Sequence, residues 1–416
     1  MLALRPFTVV LISVVLSLLP TFQNAGTTNV TLTNTWFTSS NNASGDNFGV
    51  RMNMSGETVV VGGIDDSHDS PFSGAAYVFV KVGAGWVQQQ KLTATAPVTN
   101  QGFAASVAIE GNTIVVGAPG EDDETQPLAG AAYVFIRDGS NWLLQQKLRL
   151  PETRTGDAFG TAVGISGDSI VVTAPGDADN NFLSGTASVF TRDQNGVWSF
   201  QQKFRATDQI LDQMYGASVA ISGDTVMVGS EYLAPIHNAG IGAVYVYERV
   251  GAMWTLTKKL TSSTWRGGYE FGRFLAMDGN VAVISAYHEE HGSNTRGSLY
   301  VFVRDSGEWR QQQKLFVKED LAEWDFFGVG VAIHGTTIVA GNNGADEQRG
   351  AAYIFTADNK LNWSQQTKLR ASDGLIDEHF GTGVATNGSD VLVGATSKAI
   401  SGPSCGAVYY SSLNAP

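Results

Sequence analysis

The chain has 416 residues and a formal net charge of −13, from 26 basic against 39 acidic side chains. That balance argues against a nucleic-acid partner, which needs a basic face. Its 48 glycines and 43 % hydrophobic content, with Cys405 as the lone cysteine, exclude both a disordered chain and a disulfide-held scaffold.

The N-terminus reads as a secretory signal over residues 1–25. Arg5 gives a positive start, Phe7–Leu19 is an apolar run too short to span a bilayer comfortably, and Ala25 is the expected cleavage position, although Gln23 is not the usual small residue. No later segment reads as a membrane span, and Asn414-Ala415-Pro416 is not a lipid-anchor tail. Val30–Ser39 then reads as one β-strand.

From Phe48 onward a unit recurs. An aromatic residue, usually followed by Gly, opens each copy: Phe48, Phe103, Phe159, Tyr215, Phe271, Phe327 and Phe380, in steps of 55, 56, 56, 56, 56 and 53 residues. The clearest copy has four short apolar runs, Ala105–Ile109, Thr113–Val116, Ala131–Ile136 and Trp142–Leu148, separated by turn residues. They are too short for helices and rich in strand-forming residues, so each copy predicts four antiparallel strands. The second run lacks alternation (Ile114–Val116, Ile170–Val172), as suits a strand covered on both faces. The fourth is polar and alternating (Gln145-Gln146-Lys147-Leu148), as suits an outer edge, where a Lys discourages edge-to-edge association.

The seventh copy stops after three runs at Val408-Tyr409-Tyr410. The expected fold is all-β: a seven-bladed β-propeller of four-stranded antiparallel blades over residues 26–416, with Val30–Ser39 supplying the missing strand of the last blade and closing the ring. Phe159-Gly160 with Thr173-Ala174-Pro175, and Phe103 with Gly117-Ala118-Pro119, resemble the FG-GAP repeats of the integrin α-subunit propeller. The resemblance implies a seven-bladed propeller and extracellular adhesion or ligand binding. Fold alone does not establish that function. Two departures stand out. The first turns, such as Ser55-Gly56-Glu57 and Glu110-Gly111-Asn112, are too short for the family's calcium loops, so those sites do not carry over. Copies four to six also lose the Pro of Gly-Ala-Pro, at Gly229-Ser230-Glu231, Ser285-Ala286-Tyr287 and Gly341-Asn342-Asn343, which alters local loop shape.

Strand alternation puts the loops between strands two and three on one face with the connectors between blades, and both sets are acidic. The candidate ligand residues there are Asp65, Asp66, Asp122, Asp123 and Asp346, with Trp265 and Trp324 from connectors that break the once-per-copy tryptophan pattern. Asp177, Asp179 and Asn181 form the one candidate metal loop, without the Gly of an EF-type loop. Connector aspartates also have a plain structural reading, as turn caps. Trp86, Trp142, Trp198, Trp254, Trp309 and Trp363 recur once per copy and read as packing anchors. His288-Glu289-Glu290-His291 lacks the spacing of a zinc helix and reads as a solvated loop. Sequons stand at Asn29, Asn42, Asn53, Asn362 and Asn387.

The expected product is a secreted monomer, a binding or adhesion module for an extracellular protein or glycan. It has no membrane span and no required cofactor, with calcium as the cation its acidic face would take. The alternative is a glycosidase or lyase using carboxylates on that face.

Overall fold

A computed structural model describes residues 28–32, 35–67, 69–122, 126–178, 184–206, 214–231, 242–264, 270–291, 294–317 and 325–413. The expected signal segment lies outside them. Among the described residues, seven sheets with sequential antiparallel order form a ring of blades. Blade 1 runs from Arg51 to Leu92, blade 2 from Ser106 to Leu148 and blade 3 from Val163 to Phe204. Tyr215–Leu260 is blade 4, Leu275–Leu315 blade 5, Val331–Ala371 blade 6 and Phe380–Ser412 blade 7. First strands line a central channel of about 540 Å3.

Second strands are buried at every position in all seven blades, because each is covered by both neighbouring blades. In six of the seven blades the aromatic residue that opens a copy drives its ring edge-on against the third-strand Tyr of its own blade, and blade 3 has Ser188 in place of that Tyr. Phe103 lies 5.3 Å from Tyr133, Phe271 5.4 Å from Tyr300 and Phe380 5.3 Å from Tyr409. The Gly of Gly-Ala-Pro answers a different need. A Cβ on Gly117 would stand 1.9 Å from the carbonyl oxygen of Gly160 in the next blade, so only glycine lets the blades approach this closely.

Two rings of polar contacts tie the blades together. On the outside, the side-chain amide of Gln146 accepts from Trp198 N at 2.9 Å and donates to Trp198 O at 2.7 Å, while Gln145 accepts the Trp198 indole N–H at 3.1 Å. Gln89 and Gln90 hold Trp142 in the same way, and Gln201 and Gln202 hold Trp254. The paired glutamines are therefore blade-to-blade clasps as well as an exposed edge, and the tryptophans are their buried anchors. At the channel end formed by the first turns, Ser55, Glu110, Ser166, Ser222 and Asp278 each accept the N–H of the turn glycine in the next blade. Asn387 donates to Gly56 O at 2.9 Å across the ring closure.

That closure differs from the single strand expected over Val30–Ser39. Trp36–Phe37 alone supplies the fourth strand of blade 7, pairing antiparallel with Val408 and Tyr409. Thr28–Leu32 instead adds a parallel fifth strand to blade 6, outside Thr367–Ala371. The segment thus straddles two blades. Phe37 packs 4.4 Å from Phe79 of blade 1, and Lys81 pairs with Asp390 of blade 7 at 2.6 Å. Cys405 is fully buried, as expected of a small core residue, and donates to Gly402 O at 3.0 Å.

Candidate functional site

The acidic loops do share a face with the connectors, yet most of their carboxylates are held inside the chain. Asp66 takes the Tyr77 hydroxyl and lies 3.2 Å from Lys91. Glu121 accepts from Tyr133 at 2.6 Å, Gln101 at 2.6 Å and Arg149 at 2.7 Å, and pairs with Lys147. Glu289 accepts from Tyr300 at 3.0 Å and Lys314 at 2.8 Å. Asp346 pairs with Lys368 at 2.9 Å and with Arg370. In each case the Lys belongs to the fourth strand, so the recurrent Lys reaches inward to neutralise its own blade's loop acid. Blade 7 inverts the arrangement: loop residue Lys398 meets connector residue Asp373 at 2.9 Å, and Tyr409 donates to Asp373 at 2.6 Å.

These environments move the titrations. Burial raises the carboxyls of Glu289, Asp346 and Asp373, but hydrogen bonds from Lys314, Arg370 and Tyr409 respectively, with the further bonds around each, override it and hold all three below the ordinary carboxylate range. Burial, then the carboxylate beside each hydroxyl, pushes Tyr77, Tyr133 and Tyr409 well up.

Of the other candidates, Asp65 accepts from Asn47 at 2.6 Å and Asp122 caps Leu128 N at 2.9 Å. Asp177 accepts from Thr186 and Lys203, each at 2.9 Å. Asp123, Asp179, Asn181, Trp265 and Trp324 lie outside the described residues. No group of three or more His, Cys, Asp or Glu among the described residues could hold a metal ion. Connector acids cap turns: Asp46 accepts Ala43 N at 2.8 Å and Asp157 accepts Arg154 N at 2.6 Å. Of the sequons, Asn53 and Asn387 line the channel, and Asn53 accepts Ile109 N at 2.9 Å. Asn362 bonds Asp358, and Asn29 is exposed.

The junction of blades 4 and 5 gathers a further set of charged and aromatic side chains. Glu231 of blade 4 and Tyr287 of blade 5 stand where blades 2 and 3 have Pro119 and Pro175 and blades 1, 6 and 7 have Ile64, Asn343 and Thr396, and His288 stands at the position of Gly120 and Gly176. Glu270 precedes Phe271 and shares the left-handed backbone (φ +50) that the residue before the opening aromatic takes in every copy. These residues meet. Arg273 donates to Glu231 at 2.6 Å and His288 Nδ1 lies 2.9 Å from Glu270, with Tyr287 and Glu231 beside the Glu270 carboxyl. Burial raises the Glu231 carboxyl, Arg273 opposes the rise and the Glu270 carboxylate reinforces it. Burial also raises Glu270, but hydrogen bonds from His288 and Tyr287 override it and bring it down. An aromatic group surrounds the pair: Tyr287 is 5.5 Å from Phe274 and 4.0 Å from His288, and His288 is 5.4 Å from Phe326.

The cluster adjoins the channel at the end where the connectors enter. Arg273 and Phe274 line the channel, as does Arg51 from the far side of the ring. Both guanidinium carbons lie near the Phe274 ring, 6.0 Å from its centroid for Arg51 and 5.7 Å for Arg273. At the Arg51 and Phe274 position the other blades carry Ser106, Ala162, Ser218, Gly330 and Gly383. In the sequence only the lost prolines of copies four to six mark this place, and His288 reads as a solvated loop residue. Residues 231, 270 and 288 are far apart in the chain and share no spacing, so only the fold gathers them.

The FG-GAP repeat family matches seven segments of the chain, residues 35–79, 86–135, 142–190, 198–247, 254–302, 309–355 and 363–410. Each matched segment from 86–135 to 309–355 begins at the fourth strand of one blade and ends in the third strand of the next, so the sequence unit straddles two blades, as the glutamine clasps do. Comparison with curated protein sequences finds no match. Among solved structures, the periplasmic gluconolactonase PpgL of Pseudomonas aeruginosa is similar at a TM-score of 0.46 and 15 % identity, covering 77 % of this chain and 84 % of that one.

Proposed function

Since the chain belongs to the FG-GAP repeat family, we propose that it is a secreted, extracellular binding module whose ligand docks at the connector end of the central channel, beside the junction of blades 4 and 5. One observation carries this reading: Arg51, Arg273 and Phe274, at channel-lining positions where the other blades carry only small or β-branched residues, meet there beside Glu231, Glu270, Tyr287 and His288. A ring of near-identical units has no structural need for them. The channel volume of about 540 Å3 suits a small ligand or the tip of a larger one, since such sites run to roughly 300–1,000 Å3.

The glycosidase alternative is less well supported. Two-carboxylate hydrolysis needs its carboxyl groups about 5 Å or more apart, to leave room for the sugar. The Glu270 carboxylate lies close enough to Glu231 to push its carboxyl up, and Arg273 and His288 already engage the two groups. Binding to a glycan and protein array, followed by analysis of bound ligands for cleavage, tests both readings. The expected result is binding without turnover, reduced at least tenfold by Arg273→Ala and unchanged by Asp65→Ala on the acidic rim. The reverse pattern would place the site on the rim, and cleaved ligand would make the protein an enzyme.

A further inference from the structure

Resting on that channel-mouth reading, we infer that the ligand enters with an anionic group, a carboxylate on a small organic body, which is held at Arg51 and Arg273 and against Phe274. Arg273 already has an anionic partner, Glu231 at 2.6 Å. Arg51 has none: it donates to two backbone carbonyls, Ala105 at 3.2 Å and Val50 at 3.2 Å, and makes no ion pair among the described residues. It instead faces a second guanidinium across the same aromatic ring. A partly buried cation beside a like charge is an unfavourable arrangement unless an anion completes it. Burial, then the charge of Arg273, lowers the Arg51 titration to about 10, the sense expected of a guanidinium that lacks its counter-charge.

The other five blades supply no Lys or Arg to the channel: among its lining residues Arg51 and Arg273 are the only two. Beyond the arginine layer the wall turns apolar, with Met52, Val107, Val219, Leu275 and Val331 at one level. An anionic head with an apolar body matches that sequence of surfaces. A guanidinium is also the group best shaped to hold a carboxylate through two parallel hydrogen bonds. The overall charge of −13 works against polyanions at long range. It therefore favours a ligand with a single charge.

Calorimetric titration of the full chain with sodium benzoate, sodium octanoate, sodium sulfate and neutral benzamide tests this. Benzoate or octanoate is expected to bind in the millimolar range or better and benzamide at least tenfold more weakly. Arg51→Met should abolish the carboxylate heat and Arg51→Lys should restore part of it. Because Arg51→Met removes an uncompensated cation, its thermal midpoint should equal or exceed that of the parent, which separates lost binding from lost folding. Equal affinity for benzoate and benzamide, sulfate binding with no carboxylate binding, or an Arg51→Met variant that binds benzoate as the parent does would each overturn the inference. An array ligand whose binding is lost in Arg273→Ala, in a chain that binds no benzoate, would keep the channel-mouth site and reject only the anion. Array binding unaffected by Arg273→Ala would reject the site itself.

Discussion

The junction between blades 2 and 3 and the junction between blades 4 and 5 occupy equivalent places in the ring and are built differently. At the first, Gln145 and Gln146 clasp Trp198, Gly117 admits the Gly160 carbonyl, and the loop acid Glu121 is neutralised by Lys147 and Arg149. At the second, Thr257 and Lys258 replace the glutamine pair, Lys258 turns to Glu308 at 3.0 Å, and the buried Trp309 indole N–H has no hydrogen-bond partner. On the inner side of that same junction, Glu231 and Glu270 face each other. The turn ring still passes through it, since Ser222 accepts Gly279 N at 3.0 Å. One junction shows what seven repeating units need in order to close. The other shows where the chain departs from that need, and there the case for function is strongest.

The largest expected contrast lies in the anchors. Trp198→Ala empties a site that is 2 % exposed and removes the indole bond to Gln145, so it should cost about 3–5 kcal/mol in urea unfolding. Trp198→Phe and Trp309→Phe sharpen the comparison. Only the first loses an indole hydrogen bond, so it should cost about 1 kcal/mol more than the second. Equal costs would mean the clasp adds nothing to packing.

Next come the carboxylates. Glu121→Ala removes an acceptor shared by Tyr133, Gln101, Lys147 and Arg149. Discounted for the partial exposure of the two cations, it should cost about 2–3 kcal/mol. Glu231→Ala relieves a carboxylate pair while it orphans Arg273, so it should cost less than Glu121→Ala and lower ligand binding instead. A larger stability loss from Glu231→Ala would make the pair structural.

Titration should separate the two kinds of site by sign. Glu289 and Asp346 have carboxyls lowered in the fold, so their contribution is present above the unfolded value and is lost as pH falls through the folded one. Unfolding midpoints should therefore decline below about pH 4, and Glu289→Gln should flatten that decline. Glu231 is raised, so its contribution is present below the unfolded value and is lost as pH rises through the folded one. Glu231→Gln should remove a loss of stability on the neutral side. A Glu231→Gln variant that alters only the acid limb would contradict that direction.

The division between what was legible in the sequence and what was not follows the same line. Blade number, strand order and the anchoring role of Trp142 or Trp198 follow from local signals repeated seven times, and repetition averages out chance. Ring closure was half legible: Val30–Ser39 had the right composition, but nothing local says that Thr28–Leu32 pairs with blade 6 while Trp36–Phe37 pairs with blade 7. The glutamine pairs read as edge residues because their partners are 52 residues away. The acidic loops read as a surface because the Lys that neutralises each one lies two strands later in the same blade. The channel mouth was hidden for a related reason. Arg51 and Phe274 are separated by four blades of sequence, and a non-repeating residue announces only that the rule has lapsed, not what it meets.

The smallest expected effect is also the most direct probe of the contrast. Installing glutamines at both positions (T257Q with K258Q) gives blade 4 the pair that blades 1, 2 and 3 use, opposite a Trp309 that already offers its indole N–H. Three new bonds at a net of about 0.5–1.5 kcal/mol each are offset by ordering two long side chains and by losing the exposed Lys258–Glu308 pair. A net gain of about 1 kcal/mol is expected, with slower amide exchange along Glu308–Leu315. The clasp sits at the outer rim and the Glu231–Glu270 pair at the channel, joined by the packed body of blade 5. If the two are independent, the double substitution changes stability and leaves ligand affinity alone. If affinity shifts with it, the missing clasp is part of the site, and the looseness of this junction is itself a functional departure from the repeat.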